Sequence, residues 1–225
     1  MNNTPTANNT TALRASLSPA LTFHASFDNG PDADFALGDK QIYSTTEQDV
    51  QKVATFTPGL GEPALTIVEG QGKFGAALAF TQENSHVVVY KAAQNVAYDP
   101  TLLRGTVSFW MNLDPAEIPG QYSDPLQLTD KDYSNACIWI DFTKNDKPSD
   151  LRLGFFGNQS EWDVTNRRGE SSEFFWRLVK VAEPPFTKGQ WTHIAITWDG
   201  VNSAQGGRAL HSFPTRRSSD LGRAS

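Results

Sequence analysis

Side chains alternate between apolar and polar over Thr106 to Leu113: Val107, Phe109, Met111 and Leu113 fall on one side, and Thr106, Ser108, Trp110 and Asn112 on the other. An extended strand places every second residue on one face, so this segment predicts a half-buried β-strand. The same period recurs in Ala136, Ile138, Ile140 and Phe142, in Leu151, Leu153 and Phe155, and in Thr192, Ile194, Ile196 and Trp198. Aromatic and β-branched content predicts further strands at Leu21 to Phe27, Ala76 to Phe80, Ser85 to Lys91, Leu126 to Thr129 and Phe174 to Val181. Gly, Pro, Asn and Asp punctuate these runs. Short strands separated by turn formers predict an all-β, antiparallel β-sandwich and argue against a helical or βαβ protein.

Between the first two expected strands, the stretch from Asp28 to Gly72 is polar and rich in turn formers, and reads as a loop excursion with one short strand. Glu47 to Val53 is the one segment with short-helix character. Residues 1–18 read as a flexible polar tail without the basic start and apolar core of a signal peptide. Residues 19–209 fit one sandwich domain. Residues His211 to Leu221 match the translation of a common short-read sequencing adapter. This implies a natural segment ending near Ala209, with residues 210–225 outside the fold.

The formal net charge is -6. Without Arg216, Arg217, Arg223 and Asp220 it becomes -8. An acidic chain lacking Lys/Arg clusters is a poor partner for nucleic acid or anionic membrane, where phosphate neutralisation supplies much of the affinity. No apolar run reaches the roughly 18 residues of a membrane-spanning helix. The single cysteine, Cys137, allows neither an intrachain disulfide nor a thiolate cluster.

Four segments occur in order: Leu21-Thr-Phe-His-Ala-Ser-Phe-Asp28, Gly72-Lys-Phe-Gly-Ala-Ala-Leu-Ala-Phe80, Gly105-Thr-Val-Ser-Phe-Trp-Met-Asn-Leu113 and Gly189-Gln-Trp-Thr-His-Ile-Ala-Ile-Thr-Trp-Asp-Gly200. Together they resemble the laminin-G-like (LamG) domains of the concanavalin A-like lectin/glucanase superfamily, over roughly residues 20–200. The resemblance implies a jelly-roll sandwich, here lacking its last strands, and an extracellular or cell-envelope setting. It also implies calcium as a loop-bound cofactor and a glycan or glycoprotein as partner.

Asp28, Asp32 and Asp34 are the candidate calcium ligands, with Asp39 nearby, because a hard cation takes oxygen donors. Aspartates are equally ordinary turn formers that bind their own backbone. Asp199-Gly200 reads as a hairpin turn. For sugar binding, an exposed ring against a pyranose face is needed, and Trp162, Trp176 and Tyr133 lie in or beside polar loops. Trp176, within Phe174-Phe-Trp, also reads as core, and Trp162 is evenly balanced. Trp110, Trp139, Trp191 and Trp198 lie in strand patterns and read as structural.

Glu161-Trp-Asp163-Val-Thr-Asn166 is the nearest match to the Glu-x-Asp-x-x-Glu motif of the superfamily's glycoside hydrolases. Asn166 stands where the acid/base would be, and an amide supplies no proton at neutral pH. The ordinary reading is a solvated acidic loop. His193 reads as a hydrogen-bonded structural histidine, and His24 and His86 lack partners at metal-binding spacing. Gly70, Gly72 and Gly75 spell G-x-G-x-x-G but precede a strand, so the dinucleotide reading fails on context. The expected function is a non-catalytic module binding carbohydrate or a glycoprotein surface through sandwich loops. A structural or protein-interaction domain is the alternative, and a degenerate glycoside hydrolase the remote one.

Overall fold

The computed structural model describes residues 15–46, 55–99, 101–118, 123–129, 138–144, 148–155, 178–201 and 208–212, the last five as backbone only. Every described strand pairing is antiparallel. The chain divides into two compact units: Met1–Glu47 with Thr55–Tyr98, and Gln48–Ala54 with Asp99–Ser225.

The first unit follows a short 3-10 turn, Ser18–Ala20, with seven strands: β1 (Phe23–His24), β2 (Phe35–Ala36), β3 (Ile42–Thr46), β4 (Thr57–Pro58), β5 (Leu65–Val68), β6 (Ala77–Phe80) and β7 (His86–Tyr90). They pair as β1-β2, β4-β3-β7 and β5-β6. Four strands, β2 to β5, thus lie within the stretch expected to be a loop with a single strand. Tertiary pairing outweighs local polarity there. Polar β3 aligns five residues with β7, from Ile42 opposite Tyr90 to Thr46 opposite His86. Its buried Ser44 hydroxyl donates to the Thr57 carbonyl at 3.4 Å. The first expected strand, Leu21 to Phe27, shrinks to Phe23–His24. The Ser26 amide donates to Asp34 instead, and Phe27 takes a left-handed φ of 70°.

The second unit holds the β-sandwich. Its strands are β8 (Leu103–Met111), β9 (Ser123–Leu128), β10 (Ile138–Phe142), β11 (Leu151–Gly154), β12 (Leu178–Val181), β13 (Thr192–Val201) and β14 (Arg208–Ser212). One sheet runs β14-β13-β8 and the other β12-β11-β10-β9. Alternation decides which residues face inward. Leu103, Ile194, Ile196 and Trp198 from the first sheet join Ile138, Ile140, Phe142, Leu151 and Leu153 from the second in one buried cluster. Each large side chain so buried contributes about 1.5–3 kcal/mol before conformational entropy is counted. Phe186 closes against Phe142, ring centroids 5.7 Å apart at 66°, an edge-to-face contact.

Two buried indoles lie across glycines. Trp198 stands opposite Gly105 and Trp139 opposite Gly154 in their ladders. A Cβ on either glycine would collide with the facing indole. Strand β10 is buried on its second face too, where Arg152 of β11 and Asp141 form a salt bridge beside the Trp139 ring. Burial pushes the Asp141 carboxyl above its usual range, against the opposing effect of Arg152.

Asp199 is the last residue of β13 paired with β14, opposite Arg208, so Asp199-Gly200 stands where the β13-β14 hairpin leaves its ladder. β13 continues to Val201, and the register with β8 slips between Trp198 and Val201, with Gly200 at φ 71°. An extra residue in a ladder is absorbed by a bulge, and glycine takes the left-handed conformation without penalty. The backbone of Arg208–Ser212, which includes residues of the adapter-like segment, pairs with β13 from Asp199 back to Ala195.

Candidate functional site

The three aspartates named as calcium ligands serve three different backbone segments. Asp28 Oδ1 accepts from the Ala76 amide at 2.7 Å, and Asp32 Oδ1 from the Ile42 amide at 2.9 Å. Asp34 accepts from the Ser26 amide at 2.7 Å and the Asn29 side-chain amide at 2.9 Å. Those bonds, Asn29 first, hold its carboxyl down at about 2. Asp39 is also held at about 2, chiefly by the Gln41 amide and then by the Tyr43 hydroxyl. Among the described residues, no three His, Cys, Asp or Glu side chains are grouped to hold a metal ion. Each of the three carboxylates accepts a hydrogen bond from a backbone amide 8 to 48 residues away in sequence and ties two segments together.

The Asp28 bond joins two of the sequence blocks used above. The first block ends at Asp28, and its carboxylate lies where a Cβ on Gly75 would clash. The Gly72 amide donates to the Gly75 carbonyl at 2.7 Å, closing the turn that presents the Ala76 amide. Glycine at both positions and aspartate at 28 are therefore one device.

Trp162, Trp176 and Tyr133 lie outside the described residues, as do Glu161, Asp163, Asn166 and Cys137. Of the tryptophans read as structural, Trp139 and Trp198 are buried and Trp191 is half-buried. Trp110 differs, with 38% of its surface exposed. It stands on the outward face of the β8-β13 ladder, opposite His193. The two rings lie 4.8 Å apart at a tilt of 32°. His193 Nε2 shares a 2.7 Å hydrogen bond with the Ser108 hydroxyl. Thr106 and Thr197 pair through their hydroxyls at 3.0 Å, and Arg104 Nε meets Asp199 Oδ1 at 2.6 Å. The signal was in the alternation itself, which assigns Trp110 to the polar side of its strand.

A serine hydroxyl on a histidine nitrogen is also half of a nucleophilic site. Among the described residues no carboxylate reaches His193 to orient it, and the pair sits on an open sheet surface, away from the water-excluded setting such chemistry needs. The arrangement suits binding: an exposed indole packed against a histidine ring, a row of hydroxyls and a neutralised ion pair.

At the end of the same strand, Asn112, Asp114, Glu117, Ile118, Ser123 and Lys188 line an open cleft of about 420 Å³. Lys188 pairs with Glu117 across it, which raises the lysine's pKa. No family model, curated protein or solved structure matches the chain.

Proposed function

We propose that this protein is a non-catalytic binding module that recognises carbohydrate, either free or on a glycoprotein. The observation that carries this reading is Trp110, an exposed indole on the polar face of a sandwich sheet, stacked near His193 and continued by the hydroxyls of Ser108, Thr106 and Thr197. A partly exposed ring on the outward face, beside groups that both donate and accept hydrogen bonds, matches the two-sided chemistry of a sugar. The resemblance to LamG domains supports the same reading and a jelly-roll topology, although a fold alone names no ligand.

Binding of the full chain to an array of neutral and acidic glycans, with and without EDTA, tests the proposal. A glycan is expected to bind, with Trp110→Ala weakening it about tenfold, or about 1.4 kcal/mol. A response to EDTA would give calcium a part in it. No binding to any glycan in either condition overturns the proposal.

A second reading rests on the first unit, whose surface exposes Phe74 at 84%, Phe80 at 60% and Leu37 at 57%. Apolar surface of this kind suits a protein-interaction domain. Retrieval of an unglycosylated partner that Phe74→Ser abolishes would favour it.

A further inference from the structure

We infer that the outward face of the β8-β13 ladder is a linear track for an extended, uncharged glycan, bound along the strands rather than through loops at the end of the sandwich. The inference rests on the carbohydrate reading above and adds the shape and charge of the ligand.

Four successive positions face outward: His193 with Trp110, Ala195 with Ser108, Thr197 with Thr106, and Asp199 with Arg104. Outward positions on one strand repeat every two residues, about 6.8 Å, so the row is about 20 Å long. That span accommodates several consecutive pyranose rings. The described side chains of the row come from β8 and β13; beyond them the backbone of β14 continues the sheet, with Leu210 opposite Thr197 and Arg208 opposite Asp199.

The chemistry changes in order along it. At one end the exposed Trp110 ring packs against His193, the two rings tilted by 32°. Ala195 follows, and its lone methyl group leaves a notch beside the Ser108 hydroxyl. The Thr106-Thr197 hydroxyl pair comes next, able to accept or donate because either oxygen can supply the proton. The Arg104-Asp199 pair closes the row.

Charge selects the ligand. Among the described side chains of the row, the one oppositely charged pair, Arg104 and Asp199, neutralises itself, which disfavours a sulfated or carboxylated chain. The whole chain carries -6 and repels polyanions at long range. A solvated sheet face with no ligand would also carry polar groups. It would have no use for a 38% exposed indole at the end of a hydroxyl row.

The test is calorimetric titration of the full chain with neutral β-linked oligosaccharides, from the monosaccharide to the hexasaccharide, alongside heparin. Amide and indole NMR shifts are followed in parallel. The expected result is affinity that rises about tenfold with length and levels off before the hexasaccharide. Shifts should centre on Trp110, His193 and Thr197, with weaker binding to heparin. Thr197→Val should flatten the length dependence.

Length-independent binding, preference for heparin, or shifts centred on Glu117, Ser123 and Lys188 would overturn the track and leave the carbohydrate reading standing. Failure of every oligosaccharide and of the wider glycan array would overturn both. Because the shifts are read on the unsubstituted protein, a variant that misfolds does not decide the outcome.

Discussion

Carboxylates in the first unit act one by one on backbone amides, and their ionisation is coupled to local order. Asp34 is the clearest case. Its folded pKa of about 2 lies below the ordinary 3.8, so its ionised form stabilises the fold above that ordinary value. This contribution is lost as pH falls through about 2. Exchange of the Ser26 amide, which donates to Asp34, is therefore expected to accelerate between pH 4 and pH 2 beyond the intrinsic trend. Asp34→Asn should abolish that pH dependence; an unchanged profile in the variant would assign the effect elsewhere. The sequence favoured turn chemistry over metal binding for Asp28, Asp32 and Asp34, but both use the same oxygens. The backbone partners, Ala76, Ile42 and Ser26, were not legible in it. Trp110 was legible as to face but was read as structural with the other strand tryptophans, since a large ring in a strand pattern ordinarily serves packing.

At the level of strands, the sandwich was readable wherever one face is apolar. Met111, Phe109 and Val107 lie on the side that packs against the core, as their alternation requires, and so do Ile194 and Ile196. The short ladders of the first unit were not readable. β3 is Ile-Tyr-Ser-Thr-Thr, and its pairing with β7 depends on a partner some 40 residues away rather than on a local pattern. The glycine positions of the sandwich also carried no local signal. Gly105 and Gly154 are required because an indole crosses above each. Gly105→Val is expected to destabilise the fold by about 1–3 kcal/mol through overpacking. Adding Trp198→Leu should recover part of that loss, which denaturant unfolding of the double variant can show. Purely additive losses would mean that the two positions do not share the strain.

Across the whole molecule, apolar burial is uneven. Among the described residues, the buried hydrophobics of the first unit are Ala33, Ile42, Ala64, Leu65 and Ala77, three of them alanines, whereas the second unit buries Ile, Leu, Phe and Trp side chains from both of its sheets. Local stability follows buried apolar contact, so hydrogen exchange should be slowest in β8, β10 and β13 and fastest in the two-residue strands β1, β2 and β4. Uniform protection across both units would contradict this. The same imbalance bears on how the chain is made. Synthesis runs from the amino end, so Phe35, Phe56, Phe74 and Phe80 leave the ribosome with their exposed rings well before Trp198 completes the sandwich core. At about 5–20 residues per second, that interval is on the order of ten seconds. During it the nascent chain offers a row of phenylalanines and no strong core, which makes the first unit a natural client for a ribosome-bound chaperone.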